Sequence, residues 1–503
     1  MQCQKRASAR GAWLWLLAAI VLLAGLGGLV PIDQTDFWWH LALGRRIVAE
    51  GAVPRVADQS WLLPPDTPFI YGSWLAEWLL FRLYQLGGLT LIVIARNLLL
   101  AGLLLLVGLE ARRRSGSWRL AALAAGGVGL MILNNVSVRP QIFAWLPFAA
   151  LTLLLGAVRG GQARPRWLVL AVPLMIFWVN VHGTFVLGLA LLGLTALGET
   201  LRRLRGGAWR RSPYVRWLWG ATLAGALSVL INPYGWRIVA FVRNLVGHPA
   251  AQQFVNEWQP PDLLAFPGVL LPLALVLIAL GAVRTRRCDL TDALLLGAFT
   301  LLGMSAIRSL IWFAIVAWPI AAGALRRDRQ PALRQLPPRL TAGLTAALLA
   351  LFVLLQPPFK PVLRLPAVFS GLGASVADGW LIGAGTPVQA VDWLRAHPLP
   401  PQARLFHEMR YGSYLMWALP QQRVALDGRI ELYPYALWLR YLRIVEDEAA
   451  LTELERLGAT HALLSRAHQP ALIARLERAR AWRQVYADQT AVIFERTTLG
   501  SQP

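Results

Sequence analysis

Asp36 and His40 stand four residues apart in the segment Pro31-Ile-Asp-Gln-Thr-Asp36-Phe-Trp-Trp-His40-Leu-Ala-Leu-Gly44-Arg-Arg. That spacing puts both side chains on one face of a helix. Thr35 or Asp36 would cap such a helix, and Trp38, Trp39 and Leu43 would lay its apolar side on the headgroup boundary of a membrane. An acid held there beside aromatic rings suits a substrate with a lipid tail and a polar head, with Trp39 as an aromatic wall for it. The plainer alternative is an aromatic belt with a capping aspartate.

Other polar residues interrupt long apolar runs: Arg139, Asn180, His182, Asn232, Glu257 and Arg308. Ionisable groups at membrane depth are costly and face a protein interior or a water-filled cavity. Together with Asp36 and His40 they are expected to line one outward-facing cavity. Arginine and histidine there suit a phosphate or diphosphate, and the carboxylates suit a base or a metal. A chain of carboxylates across the mid-membrane, as an ion-coupled pump needs, is not found.

The chain that must position these residues has 503 residues, 56% of them hydrophobic, and a mean hydropathy of +0.50. That composition belongs to an integral membrane protein. The net charge of +23 sits mostly in short loops between apolar runs and comes with no readable nucleic-acid motif, so a nucleic-acid partner is not expected. The two cysteines, Cys3 and Cys288, lie in a tail and an arginine-rich loop, where neither pairing nor metal binding is expected. Residues 12–31 follow Lys5, Arg6 and Arg10 but are too long for a cleaved signal core and lack a small-residue cleavage site, so they read as a retained first helix.

Apolar runs at 12–31, 89–109, 118–134, 141–158, 167–181, 184–201, 217–231, 267–283, 291–307, 309–325 and 338–356 give about eleven spans. Alternate connections, such as those holding Arg112–Arg114, Arg202–Arg216 and Arg284–Arg287, are rich in arginine, whereas the others carry little charge. This places the N-terminus inside the cytoplasm and everything after Gln356 outside it. Residues 1–356 form the membrane domain, with outer loops 32–88 and 232–266; 357–385 read as a Pro-rich linker and 386–503 as a soluble domain. In that last region strands and helices alternate, with helices at 389–397, 411–419, 437–445 and 471–480, strands at 404–407, 423–426 and 461–464, and a closing hairpin at 482–495. The expected fold class is therefore an α-helical polytopic membrane protein with a small C-terminal extracytoplasmic α/β domain, parallel at its centre.

The run Asp36-Phe-Trp-Trp-His-Leu…Gly44-Arg, then Gly51-Ala-Val-Pro54 and Trp74-Leu-Ala-Glu77, resembles the first outer loop of bacterial GT-C membrane glycosyltransferases. Arg139-Pro-Gln, Asn180-Val-His182-Gly, Asn232-Pro-Tyr-Gly and Glu257-Trp resemble segments that follow in the same order in that superfamily. The resemblance implies transfer of a sugar from a polyprenyl-phosphate or -diphosphate carrier at the outer face of the bacterial cytoplasmic membrane. Its acceptor would be a glycan, lipid or protein of the envelope. Asp36 matches the catalytic or metal-contacting acid. Phe406-His-Glu-Met-Arg-Tyr411-Gly412 and Val424-Ala-Leu-Asp427-Gly-Arg429 are similar to the soluble domain of oligosaccharyltransferase catalytic subunits. Only Tyr411-Gly412 of their sequon-reading motif is kept.

On this resemblance Asp36 deprotonates the acceptor, or holds Mg2+ or Mn2+ together with Glu257. His40, Arg139, His182 and Arg308 neutralise the carrier phosphate, and Asn180, Asn232 and Tyr411 join the substrate site. The competing reading is a non-catalytic scaffold of the cell envelope with the same architecture. A transporter ranks third, because no inverted repeat is found.

Overall fold

The computed structural model describes residues 11–27, 30–32, 35–204, 212–285, 289–326, 336–359, 381–446 and 448–497. Cys3, Cys288, Asp33 and most of the expected linker lie outside the described residues.

Each of the eleven apolar runs forms a helix. In chain order the helices of the membrane part are α1 (Leu14–Gly27), α2 (Phe37–Glu50), α3 (Trp74–Ser115), α4 (Trp118–Ile132), α5 (Gln141–Arg159), α6 (Ala171–Val181), α7 (Phe185–Leu204), α8 (Pro213–Ser228), α9 (Arg237–Val246), α10 (Pro249–Phe254), α11 (Leu270–Thr285), α12 (Leu290–Ser305), α13 (Leu310–Ala324) and α14 (Pro338–Leu354). Four helical stretches are long and apolar enough to cross a membrane by length and composition: Trp74–Ser115, Gln141–Arg159, Phe185–Leu204 and Ile307–Ala324. Six shorter apolar helices accompany them.

Helix α3 is bent at Gly87 and Gly88, where φ/ψ leaves the helical region and Gly88 adopts φ +61°. The bend separates an outer arm, residues 74–86, from the apolar segment that begins at Leu89. Helix α13 is apolar on every side and buried from Leu310 to Ala322, as expected of a helix enclosed by others. Its Trp312 packs edge-on against Phe148 with ring centroids 5.2 Å apart. Arg114 and Arg159 bond to Glu110, Glu199 and Asp292 at 2.6–2.9 Å, so arginines of the charged connections are paired with acids, of which Glu110 and Glu199 are fully buried.

The C-terminal part holds helices α15 (Val388–Ala396), α16 (Met409–Ala418), α17 (Tyr435–Glu446), α18 (Ala450–Leu457) and α19 (Pro470–Arg478), with strands β1 (Leu405–His407), β2 (His461–Ser465), β3 (Trp482–Ala487) and β4 (Ala491–Arg496). The sheet order is β1-β2-β4-β3, parallel between β1 and β2 and antiparallel elsewhere.

Two expectations are corrected. Residues 423–426 do not join this sheet. Val424 pairs instead with the first outer loop, accepting from Trp61 N–H at 2.9 Å and donating to the Gln59 carbonyl at 2.8 Å. A hydrophobic run alone does not reveal which partner its backbone finds. Helix α2 forms as expected, but Trp38 and Leu43 do not lie on a headgroup boundary. They are 1% and 3% exposed, and Trp38 meets Tyr414 of α16 edge-on at 4.9 Å. The docked C-terminal domain covers the face assigned to lipid. Ile32 extends the docking by pairing with Leu381 to Gly383, at the end of the expected linker.

Candidate functional site

Four of the residues singled out in the sequence meet at one point. Arg139, in the turn before α5, donates from Nη1 to both carboxylate oxygens of Glu257 at 2.7 Å. Its Nε stands 3.5 Å from Asp36 Oδ2, and its Nη2 stands 3.5 Å from Thr35 Oγ1. Arg308, in the turn Ile307–Ser309, lies over the Trp258 ring at 4.7 Å and is within the fields of Glu257, Arg139 and Asp36. The turn is tied to the second outer loop where Ile307 N–H donates to the Gln259 carbonyl at 2.9 Å. Two guanidinium groups and two carboxylates, brought by four separate connections, thus share one partly buried spot.

Asp36 occupies the cap position of α2, yet its side chain makes no capping hydrogen bond. The carboxylate is turned to Arg139 instead, which corrects the expected capping role.

His40 and His182 flank this cluster. Nδ1 of His40 is 2.9 Å from Oε1 of Glu77 on the outer arm. Burial, together with His182 and the guanidinium groups of Arg139 and Arg429, holds the His40 imidazole well below its ordinary value. The His182 Nδ1 accepts the Thr184 amide at 3.2 Å, so the neutral ring carries its proton on Nε2. Burial and the charge of Arg308 pull His182 down to about 3. Both rings are therefore neutral at physiological pH, not the cations expected to face a phosphate.

Three expected ligands are engaged in structure. Asn180 accepts from Trp74 Nε1 at 2.7 Å and donates to the carbonyls of Ile176 and Ile231, each at 2.8 Å. Asn232 closes its own turn: its amide donates to Val229 and Gly235 carbonyls, and its oxygen accepts Tyr234 N–H at 2.8 Å. That turn presents the Tyr234 hydroxyl to the Pro54 carbonyl at 3.1 Å, joining the two outer loops. Tyr411 is buried within the C-terminal domain, its hydroxyl 3.3 Å from the Thr490 carbonyl. Gly412 follows it because a Cβ there would meet the Leu426 carbonyl oxygen at 2.0 Å.

The structure adds groups from the C-terminal domain. Gly428 lies against Asp36 and Trp39: a Cβ on it would stand 2.4 Å from Asp36 Oδ1 and 3.2 Å from Trp39 Nε1. On either side of it, Asp427 and Arg429 form a fully buried, two-pronged ion pair at 2.6 and 2.8 Å. Arg429 reaches the first outer loop through Gln59 Oε1 at 3.1 Å and Tyr71 Oη at 3.3 Å, and lies 5.9 Å from the Trp39 ring. Burial opposes the charge on Asp427. The charge and hydrogen bonds of Arg429, with the hydroxyl of Tyr433, still hold its carboxyl below the ordinary range. Glu431 is pushed up to about 7, chiefly by burial; Arg429 opposes the shift and Asp36 adds to it. Glu77 and the Asp427–Arg429 pair stand inside segments that the resemblance had marked, but nothing local in the sequence brings Glu431 to Asp36.

A divalent cation held by Asp36 and Glu257 does not fit this arrangement. Arg139 already stands between the two carboxylates, and among the described residues no three His, Cys, Asp or Glu side chains form a metal-binding group. A gap beside Glu257, lined by Met131, Asn135 and Ile307, holds about 30 Å³, room for about one water.

No family model matches the sequence, and no curated protein matches it. Solved structures do. The archaeal oligosaccharyltransferase AglB from Archaeoglobus fulgidus, in complex with an inhibitory peptide and a dolichol-phosphate, superposes with a TM-score of 0.56 at 12% identity, over 97% of this chain and 75% of that one. ArnT from Cupriavidus metallidurans bound to undecaprenyl phosphate gives 0.50 at 19% identity, over 98% and 99%. The arabinofuranosyltransferase AftD from Mycobacteria gives 0.56 at 16% identity, over 96% of this chain and 41% of that one. This chain shares its fold with these solved structures.

Proposed function

For a chain with the GT-C fold, we propose transfer of a sugar from a polyprenyl-phosphate or -diphosphate carrier to an envelope acceptor. The meeting of Asp36, Arg139, Glu257 and Arg308 carries this reading. Breaking the bond between the sugar's anomeric carbon and the carrier oxygen leaves negative charge on the phosphate. Arg139 and Arg308 can receive that charge in a partly dry site, where fixed cations act most strongly. Glu257 holds the Arg139 fork in place. Asp36 takes the proton of the acceptor hydroxyl or amide as its oxygen or nitrogen attacks the anomeric carbon. The dolichol-phosphate in the AglB structure and the undecaprenyl phosphate in the ArnT structure favour a carrier of this chemistry.

In this reading the protein lies in the bacterial cytoplasmic membrane with its N-terminus inside and its C-terminal domain outside, which the alternation of arginine-rich connections supports. A reporter fused after Pro503 should be active in the periplasm, and cytoplasmic activity would overturn that orientation.

The activity itself is tested with full-length protein in lipid nanodiscs, supplied with a panel of undecaprenyl-phosphate and -diphosphate sugars and with envelope extract as the source of acceptor. Release of undecaprenyl phosphate by the wild type and its loss in Arg139→Gln are expected. No release from any carrier would sink the transferase reading. A non-catalytic envelope scaffold is the second reading, favoured by the small gap beside Glu257.

A further inference from the structure

A second hollow lies between α8 and the 3₁₀ turn Pro165–Leu170 that leads into α6, and it holds about 460 Å³. That volume is in the range of about 300–1,000 Å³ usual for a small-molecule pocket. One wall is a single face of α8, where Arg216, Gly220 and Ala224 recur every four residues and Trp217 stands beside them. Val169 and Val172 form the facing wall.

The hollow has a charged end and an apolar length. Helices α6 and α8 finish together, where the Asn180 amide donates to the Ile231 carbonyl at 2.8 Å. Their opening segments therefore lie together as well, at the other end of α8, whose 16 residues span about 24 Å. Arg216 is in the first turn of α8. Arg166 precedes Val169 by three residues in the 3₁₀ turn, where side chains so spaced eclipse one another, so it stands over the opposite wall at the same end. From Arg216 the α8 face runs about 12 Å to Ala224 with no charge on it.

The two arginines are free to take an anion. Nearby, Arg159, Arg202 and Arg203 all converge on Glu199. Arg166 and Arg216 are exposed and form no ion pair among the described residues. Trp167 and Trp217, 47% and 43% exposed, stand beside them, and Arg166 lies 6.0 Å from the Trp167 ring. Arginine with half-exposed indoles is the chemistry of a headgroup layer. Leu170, Leu223 and Leu227 are exposed on the same two elements, and in a multi-pass membrane protein such surface meets acyl chains. A Cβ on Gly220 would touch nothing within 4 Å. Glycine weakens a helix interior, and no packing contact at Gly220 requires it; it leaves the hollow open.

We propose that this groove binds one anionic phospholipid of the bilayer, with its phosphate between Arg166 and Arg216 and one acyl chain laid along Gly220 and Ala224 against Val169 and Val172. A zwitterionic lipid carries an ammonium that two guanidinium groups repel, whereas an anionic headgroup meets only cations here. In the orientation proposed above, the lipid belongs to the cytoplasmic leaflet. The site stands apart from the sugar-transfer residues and does not depend on that activity.

Native mass spectrometry tests this with full-length protein ejected from nanodiscs of equal parts phosphatidylglycerol and phosphatidylethanolamine. One phosphatidylglycerol retained per wild-type chain is expected. Each basic residue near a headgroup contributes about fivefold, so Arg166→Gln/Arg216→Gln should lose about 25-fold of the preference. Gly220→Leu, which fills the groove and keeps both arginines, should lose the retained lipid. If Gly220→Leu lowers the melting temperature, Val169→Trp on the facing wall fills the same space and takes its place. Wild-type retention of both lipids alike would overturn the proposal, as would retention unchanged in the arginine variant. Phosphatidylglycerol held equally by the groove-filling variants would show attraction by surface charge alone and overturn the groove. A wild-type dimer that Gly220→Leu converts to monomer, with no lipid retained by either, would give the groove to a second copy of the chain and overturn it too.

Discussion

Gly428 packs on Asp36 so tightly that a Cβ would stand 2.4 Å from Oδ1. A residue of the C-terminal domain thus forms one wall around the candidate catalytic acid of the first outer loop. Gly428→Ala must push the domain away from α2 or displace the Asp36 carboxylate. Overpacking of this kind costs about 1–3 kcal/mol. Thermal unfolding in detergent should show that loss, and carrier turnover should fall with it; a variant with unchanged melting and turnover would mean that the contact yields freely.

Asp36→Asn should leave stability nearly untouched. The side chain makes no capping bond, and a part-exposed ion pair such as Asp36–Arg139 is worth about 0–1 kcal/mol. The substitution removes a charge and a proton acceptor at the site, so sugar transfer should drop by about 10²–10⁴. Equal transfer by variant and wild type would end its catalytic role.

Arg139 and Glu257 should prove energetically coupled. With both oxygens of Glu257 at 2.7 Å from one nitrogen, a double-mutant cycle of Arg139→Gln and Glu257→Gln is expected to give a coupling of about 0.5–3 kcal/mol in unfolding. Additive effects would show that the two side chains merely lie near each other.

Stability should fall as pH rises from about 4.5 towards about 7 through Glu431, which is held at about 7 in the fold against an ordinary value of 4.5. Between those values the folded state binds more protons than the unfolded chain, and stability then declines with pH. The contribution is complete below the unfolded value and is lost on passing the folded one. Glu431→Gln should flatten this part of a melting-temperature profile, and an unaltered profile would contradict the assignment.

Much of the protein is legible in the sequence because its physics is local. A run of apolar residues tends to form a helix whatever its neighbours, since the backbone must satisfy itself, and each of the eleven runs holds one, four of the helical stretches being long and apolar enough to cross a membrane. The helix after Asp36 and most elements of the C-terminal domain follow from periodicity for the same reason. Position relative to other elements is not local. The sequence marks Trp38 as a lipid-facing indole, but docking of α16 turns its surroundings into a protein interior. It marks residues 423–426 as a sheet strand, but the ladder they find belongs to Ser60 and its neighbours. Asn180, Asn232 and Tyr411 look like ligands in a list of polar residues, yet the backbone groups around them had first claim on their hydrogen bonds. Arg139 and Glu257, 118 residues apart, and Asp36 and Gly428 meet only because the helices and the C-terminal domain pack as they do. Charge type and apolar spacing are written along the chain; which charges face one another is decided by close packing between distant segments.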